Sequence, residues 1–117
     1  MQEYEKAKDS AQKAVKKDKN NSNARLTLGN INYLHQNYKK ALKDYKKAEK
    51  DETNKLTAEV KIAKTYQKLG DERKSKELFE KVLKTSTTAY EAYYNVAIME
   101  PFKQLIYLKK ALGINIT

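Results

Sequence analysis

Leu28-Gly29, Gln36, Tyr38, Ala41, Tyr45 and Ala48 recur, each displaced by thirty-four positions, as Ile62-Ala63, Gly70, Glu72, Ser75, Phe79 and Val82. A fixed period of this length restricts the chain to stacked supersecondary units, since one such unit cannot bury its own apolar face and must lean on its neighbours. Each unit reads as two helices. Ala24, Leu28 and Ile31 keep helical spacing before the polar break at Gln36-Asn37, and Ala41, Leu42, Tyr45 and Ala48 keep it afterwards. In the next unit Val60, Ile62, Ala63 and Tyr66 belong to the first helix and Leu78, Phe79, Val82 and Leu83 to the second. Gly70 is placed to end the former, and Asp71 stands where a helix N-cap belongs.

The small residues of the echo have a packing role: Gly29 with Ala41 and Ala48, and Ala63 with Ser75, allow two antiparallel helices to approach closely, while Tyr45 and Phe79 fill the adjoining space. On these residues the chain resembles the tetratricopeptide-repeat family, whose pattern runs from an aromatic through Leu-Gly, Tyr, Ala, an aromatic and Ala to a closing Pro. It departs from that pattern at Arg25 and Glu59 in place of Trp, at Asn32 in place of Tyr, which Tyr66 keeps, and at Thr53 and Thr87 in place of Pro. The resemblance implies an all-α fold, a right-handed superhelical array of antiparallel helix pairs, an α-solenoid of about seven helices.

The expected organisation is a single array: 1–21 as the second helix of a partial unit, 22–55 and 56–89 as full units, and 90–117 as a shortened one. Tyr4, Ala7, Ala11, Ala14 and Val15 fall one period before second-helix positions, so the chain is expected to begin midway through a unit and to be a piece of a longer protein. The last unit is irregular. From Ala97 to Ala111 there are five residues fewer than from Gly29 to Ala48, and Pro101 is expected to open the final helix, where its missing N–H is no loss. The tail Gly113 to Thr117 stops where another unit would start, and an apolar end left exposed there favours self-association.

With 117 residues, one continuous core suffices. The hydrophobic share of 39% and a mean hydropathy of −0.94 suit thin two-helix layers with much exposed surface. Absence of cysteine excludes a disulfide, a thiolate nucleophile and a zinc–sulfur site. His35 is the only histidine and lies beside Gln36-Asn37, which suits a turn residue better than a ligand or base. No phosphate-cradling loop or two-His motif occurs among three glycines and one histidine, so neither an enzyme nor a cofactor or metal is expected. Carboxylates one turn apart, such as Glu77 and Glu80, are common on solvated helix faces.

A net charge of +10 raises polyanions and anionic membranes as partners. Only Arg25 and Arg73 are arginine among the 25 basic residues, however, and arginine is the side chain fitted to forked phosphate and base contacts, so no specific nucleic acid is expected. Lys39, Lys40, Lys43, Lys46, Lys47 and Lys50 are interspersed with Asp44, Glu49 and Asp51, which reads as a solvated outer face. Around Arg73, Lys74, Lys76 and Lys81 the acids Asp71, Glu72, Glu77 and Glu80 offer pairs worth a few tenths of a kcal/mol each.

By the resemblance, first helices line a concave groove and second helices form its back. The groove positions are then Asn23, Leu26, Asn30 and Tyr33; Thr57, Val60, Lys61, Lys64 and Gln67; and Glu91, Tyr94, Asn95 and Ile98. Lys61 and Lys64 suit carboxylates, Asn30 and Asn95 a peptide main chain, and Tyr33 and Tyr94 offer rigid apolar area with a polar tip. The competing reading is that Leu26, Val60, Ile98 and Tyr94 cover neighbouring helices and that Lys61 is solvated. Chaperone-binding relatives use a carboxylate clamp of Lys and Asn, then Asn, then Lys and Arg. Here the matching positions hold Leu26 and Asn30, then Lys61, then Glu91 and Asn95, and Glu91 repels a terminal carboxylate, so no strong binding to acidic chaperone C-termini is expected.

The leading functional expectation is a noncatalytic scaffold that binds a peptide or helix of a protein partner, the groove lysines admitting an acidic one. The alternatives are binding of nucleic acid or anionic membrane by the basic surface, and self-assembly through the array ends as a homo-oligomer. No membrane-spanning segment is present in the sequence.

Overall fold

The computed structural model describes residues 2–85 and consists there of helices joined by short turns, with no strand among the described residues. The helices are α1 (Gln2–Lys17), α2 (Ser22–Leu34), α3 (Tyr38–Ala48), α4 (Lys55–Lys68) and α5 (Glu72–Thr85). Each packs on the next in chain order. The described residues thus hold five helices in place of the expected seven or so; the shortened unit over 90–117, with Pro101 and the apolar tail, lies outside them. Helix α4 starts at Lys55, where its first turn closes on the Asn54 carbonyl, which accepts from the Ala58 N–H at 2.9 Å.

The turns after α2 and α4 are built alike. Asn37 N–H donates to the Asn32 carbonyl at 2.8 Å and Asp71 N–H to the Tyr66 carbonyl at 3.0 Å, a six-to-one closure with a left-handed residue just before the donor. That residue is Gly70 (φ 86) in one turn and Gln36 (φ 64) in the other, where a side chain is strained. Gln36→Gly is therefore expected to raise stability by up to about 1 kcal/mol and Gly70→Ala to lower it by about 1 kcal/mol. Urea unfolding followed by circular dichroism would show midpoints moving in opposite directions.

At the other helix ends, Asn21 Oδ1 accepts from Ala24 N–H and Asp71 Oδ1 from Lys74 N–H, both at 3.1 Å, so Asp71 caps α5 as its position implies. Asn54 caps nothing with its side chain. Its Nδ2 donates to Ser22 Oγ at 2.8 Å and to Asn23 Oδ1 at 2.9 Å, while Ser22 Oγ donates to Asp51 Oδ2 at 2.9 Å, tying the start of α2 to the turn before α4. The Thr53 N–H and then the Ser22 hydroxyl hold the Asp51 carboxyl below the ordinary aspartate range.

Among the described residues two apolar clusters form the core. Ala41, Tyr45 and Ile62 make one, covered by Leu26, Tyr33, Leu42 and Tyr66; Val60, Ala63, Phe79 and Val82 make the other, covered by Leu83. Leu78 packs against both, joining the two into one body. Ala41, Ala48, Ala63, Ser75 and Phe79 are wholly buried, as their place in the echo implies.

The α3 face is less solvated than the alternation of Lys and acid suggests. Asp44 is buried, 7% exposed, and faces α2: its Oδ1 accepts from Arg25 Nη1 at 3.1 Å and its Oδ2 from Asn32 Nδ2 at 3.0 Å. The Lys46 and Lys74 ammonium groups lie 5.6 and 5.7 Å from the Tyr66 ring centroid, within reach of the ring's face, so each meets an aromatic as well as water. Arg73 and Glu77 form the expected one-turn pair at 3.4 Å, both largely exposed.

Candidate functional site

A cavity of about 270 Å³ opens between α2 and α4 and is lined by Asn30, Tyr33 and Leu34 of α2, Tyr45 of α3, and Lys61 and Lys64 of α4. Asn30 and Tyr33 lie three residues apart, as do Lys61 and Lys64, so each pair stacks on one face of its helix. The two helices bring those faces opposite each other. Tyr33 stands edge-on to Tyr38 with ring centroids 5.3 Å apart, which restricts its ring at the cavity wall.

Tyr45 is the floor. Its ring is 2% exposed and its hydroxyl donates to Asn30 Oδ1 at 2.6 Å. The Lys61 ammonium lies 6.0 Å from the ring centroid. Burial pushes the Tyr45 hydroxyl well above the ordinary phenol range, with Tyr33 and Asp44 adding to the effect, so it remains a donor at physiological pH.

Gly29 makes this placement possible. A Cβ there would fall 2.6 Å from Tyr45 Cε1 and 2.7 Å from Cδ1. The close approach thus serves the Tyr45 ring, which its hydroxyl pins in place. The corresponding pair, Ala63 and Phe79, has no hydroxyl and accommodates the methyl. Gly29→Ala gains about 1 kcal/mol of helix propensity but overpacks by about 1–3 kcal/mol, and at this distance the clash wins. Net destabilisation of up to about 2 kcal/mol is expected, partly relieved by adding Tyr45→Phe; a double-mutant cycle in urea would measure the relief.

Of the expected groove positions, Asn30, Tyr33, Lys61 and Lys64 meet at the cavity. The others within the described residues do not. Val60, 8% exposed, belongs to the cluster of Ala63, Phe79 and Val82, and Leu26 packs on the cluster of Ala41, Tyr45 and Ile62, so both cover neighbouring helices. Asn23 is exposed and accepts from Asn54, Thr57 is exposed, and Gln67 is half-buried away from the cavity. Glu91, Tyr94, Asn95 and Ile98 lie outside the described residues. Two lining residues escaped the sequence reading. Tyr45 sits on a second helix and reaches the cavity only past Gly29, and Leu34, 58% exposed, follows Tyr33 off the apolar stripe. An apolar residue out of helical register was the available signal for Leu34.

His35 lies at the end of α2, exposed, its ring 6.4 Å from that of Tyr4. Among the described residues no group of three His, Cys, Asp or Glu side chains is placed to hold a metal ion, and no helix is long and apolar enough to cross a membrane.

Neither a protein-family profile nor a curated protein matches the chain. Solved structures do: the crystal structure of MamA, a TPR-like all-helical protein, matches with a TM-score of 0.76 over 91% of this chain. The fold is TPR-like. Identity to MamA is 24%, so the likeness is one of fold, and this TPR-like chain spans 65% of the length of the MamA chain.

Proposed function

We propose that the chain is a noncatalytic protein-interaction scaffold, that its helix pairs form a right-handed superhelical array, and that a peptide or helix of a partner lies in the concave groove across α2 and α4. The observation that carries this reading is the convergence of Asn30 and Tyr33 with Lys61 and Lys64 at one cavity between the first helices of two successive units. Apolar wall, aromatic floor and a few convergent polar groups are what a peptide anchor needs. The TPR-like fold supports the scaffold reading, because stacked repeats present long surfaces in place of enclosed catalytic pockets. Protein partners follow from it, with acidic ones favoured by the two lysines.

Peptides selected on the purified chain by phage display test the site. They are expected to lose about tenfold or more in affinity to the double variant Lys61→Glu/Lys64→Glu, as two charged contacts turn repulsive. The circular-dichroism spectrum should stay unchanged, since both side chains are only partly buried. Unchanged affinity would remove the lysines from the site. Binding that persists at moderate salt separates a groove contact from diffuse attraction to the net charge of +10.

A further inference from the structure

Apart from the Tyr33 hydroxyl, which can donate or accept, the polar groups that the cavity turns to a ligand are donors. A side-chain amide carries an acceptor oxygen and a donor NH₂. In Asn30 the oxygen is engaged by the Tyr45 hydroxyl at 2.6 Å, which orients the amide and leaves its NH₂ as the distinctive group to offer a ligand. Lys61 and Lys64 line the same cavity and can only donate. Tyr45 serves both sides: its hydroxyl sets Asn30, and its ring lies beneath the Lys61 ammonium. The ring lies against Gly29 with no room for even a methyl between them.

We infer that Tyr45, reaching the groove from the helix behind it, holds the Asn30 amide as a donor and makes the cavity a receptor for the carboxylate of an aspartate or glutamate within an extended peptide. This rests on the groove reading above and adds the chemistry of the anchor. A carboxylate is acceptor-only and carries the charge complementary to Lys61 and Lys64. The isosteric amide of glutamine brings an NH₂ that meets donors at Asn30, Lys61 and Lys64. Leu34 and Tyr33 continue the wall at the C-terminal end of α2, and Leu34 is 58% exposed. A chain that continues past the carboxylate in both directions covers more of that surface than one that ends there, which favours an internal acidic side chain as the source. Tyr45 is a positioning residue, touching the ligand through Asn30 and Lys61.

The test is an NMR titration of the isotope-labelled full chain with three peptides. One is blocked at both ends and carries a central Glu between leucines; the second is its Gln twin; the third has Ala in place of Glu and ends in a free carboxylate. The Glu peptide is expected to bind about tenfold tighter than the Gln twin, as a charge-assisted hydrogen bond implies, and to shift the Asn30 side-chain NH₂ signals. Tyr45→Phe keeps the ring and its contact with Gly29 while removing the hydroxyl, and should reduce the Glu-over-Gln preference to within about threefold while peptide binding persists. Asn30→Ala, a half-buried position, is the second variant: it removes the amide together with the acceptor of the Tyr45 hydroxyl, and should lose the preference.

Equal binding of the Glu peptide and its Gln twin, tighter binding of the free terminus, or an undiminished preference in Tyr45→Phe would each overturn the inference and leave the groove reading standing. If no peptide moves any α2 or α4 signal, the groove reading itself falls, and this inference with it.

Discussion

Phe79→Ala is expected to lower stability by about 3–5 kcal/mol, the range for deleting a buried phenylalanine and leaving its cavity. Phe79 is wholly buried among Val60, Ala63 and Val82, with Leu78 and Leu83 over them. The site cannot collapse cheaply, because Val60 and Ala63 are fixed to the spacing of α4 and Val82 to that of α5. Against a typical total of about 5–15 kcal/mol, such a loss leaves the variant partly unfolded near 37 °C. Thermal melts should show it, and Phe79→Leu, which retains most of the volume, should fall well short of the same effect. A loss below about 1 kcal/mol would mean that α5 contributes little to the folded state.

Asp44→Ala is the second large effect, expected near 2–4 kcal/mol. Removing one partner of a buried ion pair costs about 3–5 kcal/mol, and the figure is lowered here because the Arg25 and Asp44 side chains keep 13% and 11% of their exposure, enough for water to screen them partly. What remains in the variant is the source of the loss: the Arg25 guanidinium and the Asn32 amide, both aimed at a carboxylate no longer there. The complementary variant carries Arg25→Met, Asn32→Leu and Asp44→Leu together. It is expected to be neutral or more stable than the parent, since no charge is then buried unpaired. Urea unfolding of both separates the energy of the pair from the penalty of breaking it. Should the triple variant fall as far as Asp44→Ala, the network would be stabilising in its own right.

Asp44 also shows where sequence reasoning reached its limit. In a helix where lysine surrounds it, an aspartate reads as one more charge on a wet face. Its burial is decided by Arg25 and Asn32, nineteen and twelve residues earlier, which occupy positions where the related pattern has Trp and Tyr. Those two departures from the pattern are two of the three parts of one network. Ser75 is a departure of the opposite kind. It takes the place of Ala41, is wholly buried, and its hydroxyl has no hydrogen-bond partner among the described residues, which follows from a small-residue position filled by a polar one.

In the candidate site, Asn30, Tyr33, Lys61 and Lys64 were legible because first-helix register is a local property that repeats with the period. Val60 was misplaced for a related reason: it adjoins Lys61, and the boundary between groove and core on α4 depends on how α5 covers that helix. Tyr45 was legible as a core aromatic, and its role at the cavity was not, because it depends on a ring passing a residue without a side chain.

The sequence by itself determined the all-helical character of the described residues, the capping of α5 by Asp71, the left-handed stop at Gly70 and the small buried positions. Each of these follows from interactions spanning a few residues, repeated at a fixed interval. Only the tertiary structure decided that Asp44 turns inward, that Val60 and Leu26 belong to the core, and that Tyr45 closes the floor beneath Asn30 and Lys61. The physical reason is the same in each case. Burial and hydrogen-bond pairing are properties of the space between helices, and that space is set by the shapes of residues twelve or more positions apart.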